Sequence, residues 1–100
     1  MSREIIFELE ARLEFEDAIL WYDGQQPGLG DRFEAAVHAT FLRILENPDR
    51  FQLSSRTVHK AKVMGFDSYS IYFSIEAEFI GIVSVFHGAR DPAELSRRLK

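Results

Sequence analysis

A chain of 100 residues, 46% of them hydrophobic, can bury one core and is too apolar to stay disordered, so a single domain over residues 1–100 is expected. The absence of cysteine excludes a disulfide framework, thiolate metal sites and a cysteine nucleophile. A net charge of −4 argues against general nucleic-acid affinity, which depends on neutralising phosphates.

In chain order, residues 4–9 (EIIFEL) read as a strand with Ile5, Phe7 and Leu9 on its buried face. From Glu10 the period becomes helical. Ala11, Phe15, Ala18, Ile19 and Tyr22 form the apolar stripe, and Arg12, Glu14, Glu16, Asp17 and Asp23 a solvated face. Gly24 is placed to end this helix in the left-handed conformation. WYDGQQPGLGDRF, residues 21–33, lacks the GxxxxGK[ST] pattern and follows a helix, where a phosphate loop follows a strand. It therefore reads as a hinge in which Trp21, Tyr22, Leu29 and Phe33 pack two helices together. Leu29, Phe33, Val37, Phe41, Ile44 and Leu45 make the second stripe, and Asn47-Pro48 stops it. Two helices so closely joined pack as an antiparallel hairpin.

Strands are predicted over 57–64, 69–75 and 79–87. In the second of these, Tyr69, Ile71, Phe73 and Ile75 share one face and Ser70, Tyr72 and Ser74 the other. Glu76-Ala77-Glu78 reads as a hairpin turn. The run Phe79 to His87 is apolar on both faces, as a central strand requires. Asp91-Pro92 breaks the chain before a short helix over 93–99. The expected fold class is α+β: an N-terminal strand, an antiparallel helical hairpin packed on a small, mainly antiparallel β-sheet, and a short C-terminal helix.

Charge is unevenly spread. Residues 1–24 carry seven acids against Arg3 and Arg12. The stretch 50–62 carries Arg50, Arg56, Lys60 and Lys62 with no acid, and the tail carries Arg90, Arg97, Arg98 and Lys100 against Asp91 and Glu94. Either basic segment alone reads as solvated surface, yet both leave room for a local anionic partner. The charged start does not read as a secretory leader, and no apolar run is long enough to cross a bilayer, so a cytoplasmic protein is expected.

His38, His59 and His87 show no metal-ligand spacing, and neither metal nor cofactor is expected. His87 ends a strand beside Arg90 and Asp91. It reads either as an acid–base group or as a packing residue with one structural hydrogen bond. Arg90 and Asp91 are candidates for an ion pair shaping the turn, with Asp91 capping the last helix. Lys60 and Lys62 share one strand face, and Arg56 joins them if the strand is regular; such a trio suits a phosphate backbone or an acidic protein segment. No Ser-His-Asp set is present. The carboxylates cluster on the polar side of the first helix, read as a solvated face.

The succession WYxxQxPGLGxRF, NPxxF, YxIYF and HxxRDP, from Glu10 to Arg98, resembles the ParE branch of the RelE/ParE toxin superfamily of type II toxin–antitoxin systems. Two positions depart from the pattern: Phe66-Asp67-Ser68-Tyr69 replaces the usual Phe-Pro-Tyr, implying a longer turn, and Leu95 stands where tryptophan is common. The resemblance implies a helical hairpin on an antiparallel sheet and a cognate ParD-like antitoxin whose C-terminal segment wraps the toxin. It also implies DNA gyrase as the target of a ParE-type member, or ribosome-bound mRNA as that of a RelE-type member. The acidic charge favours a toxin that inhibits gyrase by binding, without catalysis. For an endoribonuclease, Arg56, Lys60, Lys62, His87 and Arg90 are the candidate catalytic residues. A non-toxic relic that only binds antitoxin is a third reading. The expected partner surface comprises Arg56, Lys60, Lys62, Tyr72, His87 and Arg90.

Overall fold

A computed structural model describes residues 3–98. Strand β1 (Glu4–Phe7) leads into helix α1 (Leu9–Gln25), which is followed by α2 (Leu29–Glu46) and a 3-10 turn (Pro48–Arg50). Strands β2 (Val58–Val63), β3 (Phe66–Ile75) and β4 (Phe79–His87) and helix α3 (Pro92–Arg98) complete it. Leu99, the expected last residue of α3, lies outside the described residues. The four strands lie in the order β1-β4-β3-β2, with β1 parallel to β4 and the other two pairings antiparallel. This is the α+β architecture expected from the sequence, with a mixed sheet.

Periodicity accounts for the two layers. Ala11, Phe15 and Ala18 of α1 and Phe33, Val37, Phe41 and Ile44 of α2 meet Ala61, Val63, Ile71, Phe73, Ile80, Ile82 and Val85 of the sheet in one buried cluster. Tyr72 points the other way, as strand alternation requires. With Val58, Val83, Phe86 and Leu95 it forms a smaller cluster, which docks α3 on the outer sheet face. Residues 80–86 of β4 are all buried, as a central apolar strand should be.

The structure corrects four local expectations. Leu9 belongs to α1, not β1, and stands exposed. Gly24 sits inside α1; the left-handed residue is Gly28, with φ 88°, immediately before α2. Residues 66–68 are strand rather than turn, because Gly65, at φ 83°, makes the β2–β3 turn instead. The extra residues are absorbed as a register shift between the Lys62–Ser70 and Val63–Phe66 pairs. Trp21 does not pack the hairpin shut but projects from it, its ring edge-on to Tyr22 at 5.1 Å.

Tyr22 and Phe33 do close the hinge. Their rings lie 5.0 Å apart, and both meet Phe66 and Tyr69 of β3 within 5.9 Å. Offset and edge-on rings at such spacing add about 0.5–1.5 kcal/mol per pair beyond area burial. Asp23 completes the turn: its Oδ1 accepts the Gly30 N–H at 2.7 Å, placing a carboxylate on the first turn of α2. A Cβ on Gly30 would lie 2.5 Å from the Ile19 carbonyl oxygen, so only glycine lets the helices approach this closely.

Candidate functional site

Strand β1 is too short to cover β4. The parallel pairing runs only from Glu4–Phe79 to Phe7–Ile82, after which Glu8 N–H donates to the Ile82 carbonyl at 2.9 Å and the chain turns into α1. The second half of β4 therefore has an open edge beside α1, and buried main-chain groups there need side-chain partners.

Glu14 of α1 and Arg98 of α3 supply them. Val85 N–H donates to Glu14 Oε1 at 3.1 Å and Ser84 Oγ donates to the same oxygen at 2.8 Å. Arg98 Nη2 donates to the Val83 carbonyl at 2.6 Å. The carboxylate is then shared between two guanidinium groups: Arg90 Nη1 donates to Oε2 at 2.6 Å and Arg98 Nη1 to the same oxygen at 2.9 Å. Arg98 Nε also lies 3.3 Å from Glu10, and Arg90 Nη2 donates to Glu94 at 2.9 Å. A register shift between Tyr72 and Phe73, which skips Val83, accompanies this edge.

The Glu14 side chain is only 12% exposed. Burial pushes its carboxyl up, but hydrogen bonds from Arg98, Ser84, Arg90 and Val85 together outweigh it and hold the group below the ordinary glutamate value. Burial works against the Arg90 charge, and Glu94 and Glu14 more than compensate. Glu14 was expected on a solvated face; it is instead a half-enclosed ionic node joining α1, β4, the 88–91 turn and α3. Arg90 bonds Glu14 and Glu94 rather than its neighbour Asp91, which caps α3 by accepting the Ala93 N–H at 3.0 Å.

A cleft of about 490 Å³ opens beside this node, with Glu10, Leu13, Asp17 and Trp21 on one wall and Tyr69 and His87 on the other. His87 Nδ1 accepts the Ala89 N–H at 2.9 Å, and its ring stands edge-on to Tyr69 at 4.9 Å. The accepting Nδ1 places the proton of the neutral ring on Nε2. Burial raises the Tyr69 phenol, which keeps it a neutral donor at physiological pH.

The remaining candidates lie elsewhere. Lys60 and Lys62 stand on the outer sheet face, with Lys60 Nζ 5.8 Å from the centre of the Tyr72 ring. Tyr72 itself is 8% exposed beneath this cover. Arg56 precedes β2 and lines a second cleft of about 690 Å³ with Ser54, Ser55, Thr57, Leu95 and Ser96. His59 faces inward and stacks on Phe73 at 5.4 Å. The structure thus brings His87 and Arg90 together at one cleft, and sets Arg56, Lys60 and Lys62 on the other side of the sheet. Glu14, Arg98, Asp17 and Trp21 were not among the residues picked from the sequence. The signal that could have found Glu14 is the mismatch between a β1 of four residues and a β4 of nine.

A helical hairpin on one face of a four-stranded mixed sheet, with a short C-terminal helix on the other, defines a small α+β protein. Residues 5–92 match the family described as ParE toxin of type II toxin-antitoxin system, parDE, and the chain belongs to that family. The fold is similar to that of a solved chain titled "Chromosomal ParDE TA system from P. aeruginosa", at a TM-score of 0.73 and 9% identity, covering 85% of this chain and 95% of that one. No curated protein matches the sequence. No helix among the described residues is long and apolar enough to cross a membrane.

Proposed function

We propose that this ParE-type toxin acts by binding DNA gyrase and is neutralised by a cognate ParD-like antitoxin encoded beside it. Membership of the ParE family over residues 5–92 carries this reading. The distribution of the charged groups supports a binder over a nuclease. An RNA-cleaving centre needs a base and phosphate-stabilising cations converging on one atom. Here Arg56, Lys60 and Lys62 lie on the far side of the sheet from the cleft that holds His87. Arg90 is engaged by Glu14 and Glu94. As a surface for a large partner, the proposal takes Arg56, Lys60 and Lys62, which have no acidic partner among the described residues.

Inducible expression of the chain alone tests the target. Loss of supercoiling by purified gyrase, with trapped cleaved DNA, is the expected outcome. Translation arrest with cut mRNA and intact supercoiling would replace gyrase with the ribosome, and normal growth would leave only antitoxin binding. In a titration with the adjacent-frame protein, Arg56→Glu or Lys60→Glu is expected to weaken the complex more than Arg12→Glu. Equal effects would remove the basic face from the interface.

A further inference from the structure

The outer face of the sheet is divided between apolar and basic groups. Its apolar part, Val58, Tyr72, Val83 and Phe86, is closed by Leu95 of α3. Along β2 the same face carries Val58, Lys60 and Lys62 at every second position. Lys60 and Lys62 therefore stand about 7 Å apart along one side of the strand. Arg56, two residues before Val58, opens onto the cleft of about 690 Å³. Ser54, Ser55, Thr57 and Ser96 line that cleft with hydroxyls, and Pro92 and Leu95 line it with apolar surface. The Ser54 and Ser55 N–H groups both donate to the Val58 carbonyl, at 2.7 and 3.2 Å, which folds the loop back on β2. Among the described residues, none of these hydroxyls takes part in a side-chain hydrogen bond within the chain. Nor does Arg56, Lys60 or Lys62 meet a carboxylate. One guanidinium, two ammoniums and a set of hydroxyls thus lie along one strip, all available to an anion.

We propose that this strip, from the Arg56 cleft along Lys60 and Lys62, holds the phosphodiester backbone of the DNA duplex on which gyrase acts. The inference rests on the gyrase reading above and adds a direct contact between the toxin and gyrase-bound DNA. Hydroxyls set around a guanidinium favour phosphate over an acidic protein segment. Arginine, lysine, serine and threonine are the usual donors to phosphate oxygens, and donors from several sides suit a tetrahedral group better than a planar carboxylate. Burial of the rings selects a duplex over an unpaired strand. Single strands are held by stacking their bases on exposed aromatic side chains, whereas Tyr72 and Phe86 are only 8% and 5% exposed. With no ring offered, the strip meets backbone alone and reads no sequence. A net charge of −4 repels DNA at large, so the contact forms where gyrase already holds the duplex against the strip. His87 lines the other cleft, so no base stands at the strip and the phosphate is held without being cut.

The test titrates the chain against purified gyrase, alone and carrying a DNA duplex, with folding of each variant checked by circular dichroism. The triple variant Arg56→Gln, Lys60→Gln, Lys62→Gln is expected to bind the gyrase–DNA complex at least about tenfold more weakly. Its binding to gyrase alone is expected to stay within about twofold. Each phosphate contact adds about 0.9 to the slope of log affinity against log salt, so the triple variant should lose about 2–3 of the wild-type slope on the gyrase–DNA complex. Arg32→Gln removes an exposed cation from α2, on the other side of the sheet, and should change neither measurement. Wild-type binding to gyrase–DNA that the triple variant retains overturns the DNA contact while leaving the gyrase reading intact. An equal loss with and without DNA gives the strip to an acidic protein segment and overturns the proposal. Displacement by inorganic phosphate at matched ionic strength makes the cleft a small-anion seat and overturns it as well. Absence of wild-type binding to gyrase in either form overturns both readings.

Discussion

At the hinge, one carboxylate answers one backbone N–H seven residues away; at the β4 edge, one carboxylate gathers a main-chain N–H, a hydroxyl and two guanidiniums from 70 to 84 residues away. Both devices satisfy buried main-chain donors, and they differ in what must already be folded. Asp23 and Gly30 meet as soon as α1 and α2 turn against each other. Glu14, Ser84, Arg90 and Arg98 meet only when helix, sheet and C-terminal segment are all in place. Loop-closure entropy grows with separation, so the node is the costlier contact to form, and it holds more of the structure once formed. The hinge shapes a motif, whereas the node locks the ends of the chain together.

The largest expected effect breaks the node. Glu14→Ala removes the acceptor shared by Arg90, Arg98 and the Val85 N–H; Arg90 keeps Glu94 and Arg98 keeps Glu10 and the Val83 carbonyl, so the cost is about 3 kcal/mol, the low end for breaking a buried pair. Denaturant unfolding measures it; a loss under about 1 kcal/mol would make the node a surface ion pair of ordinary weight. Glu14→Gln adds a pH signature. The folded state holds the Glu14 carboxyl below its ordinary value, so its ionised form contributes stability that is complete above the unfolded pKa. That contribution is lost as pH falls through the folded pKa. The stability gap between wild type and Glu14→Gln should therefore be constant near neutrality and narrow below about pH 4.3, the unperturbed glutamate value. A gap that widens on acidification would reverse the assigned charge state.

At the hinge, Gly30→Ala is the next largest change. The added Cβ would sit 2.5 Å from the Ile19 carbonyl and 2.7 Å from Asp23 Oδ1, both too close for a real contact, so the helices must part. Helix propensity alone would favour alanine here by about 1 kcal/mol. Overpacking of about 2 kcal/mol opposes it, and a net fall in Tm is expected. A rise in Tm would show that the helices have room to separate.

Helices, hinge and the succession of elements along the chain were readable because they follow from local period and from proline and glycine placement. Leu29 through Leu45 gives the α2 stripe directly, and Phe79 through Phe86 the buried strand. The hinge was read correctly as a turn but with the wrong glycine: Gly24 fits the helix interior, and the left-handed position falls at Gly28 because Pro27 follows the helix end. The node was hidden for a different reason. Glu14 falls on the same side of α1 as Glu10 and Asp17, and helical spacing cannot distinguish a solvated acid from one facing an unpaired strand edge. That distinction depends on where β1 stops, a tertiary fact.

The smallest expected effect tests whether the two devices are independent. Asp23→Ala removes the acceptor of one N–H on the first turn of α2, a loss of about 1 kcal/mol by analogy with N-caps. Glycine at position 30 remains, so the close approach of the helices is not itself disturbed. Combined with Glu14→Ala in a double-mutant cycle, the two losses should add within about 0.5 kcal/mol, because the groups share no hydrogen-bond partner. Coupling above about 1 kcal/mol would mean that α1 transmits the angle set at the hinge to the node. The hinge would then govern how α1 sits against β4, and with it the geometry of the node.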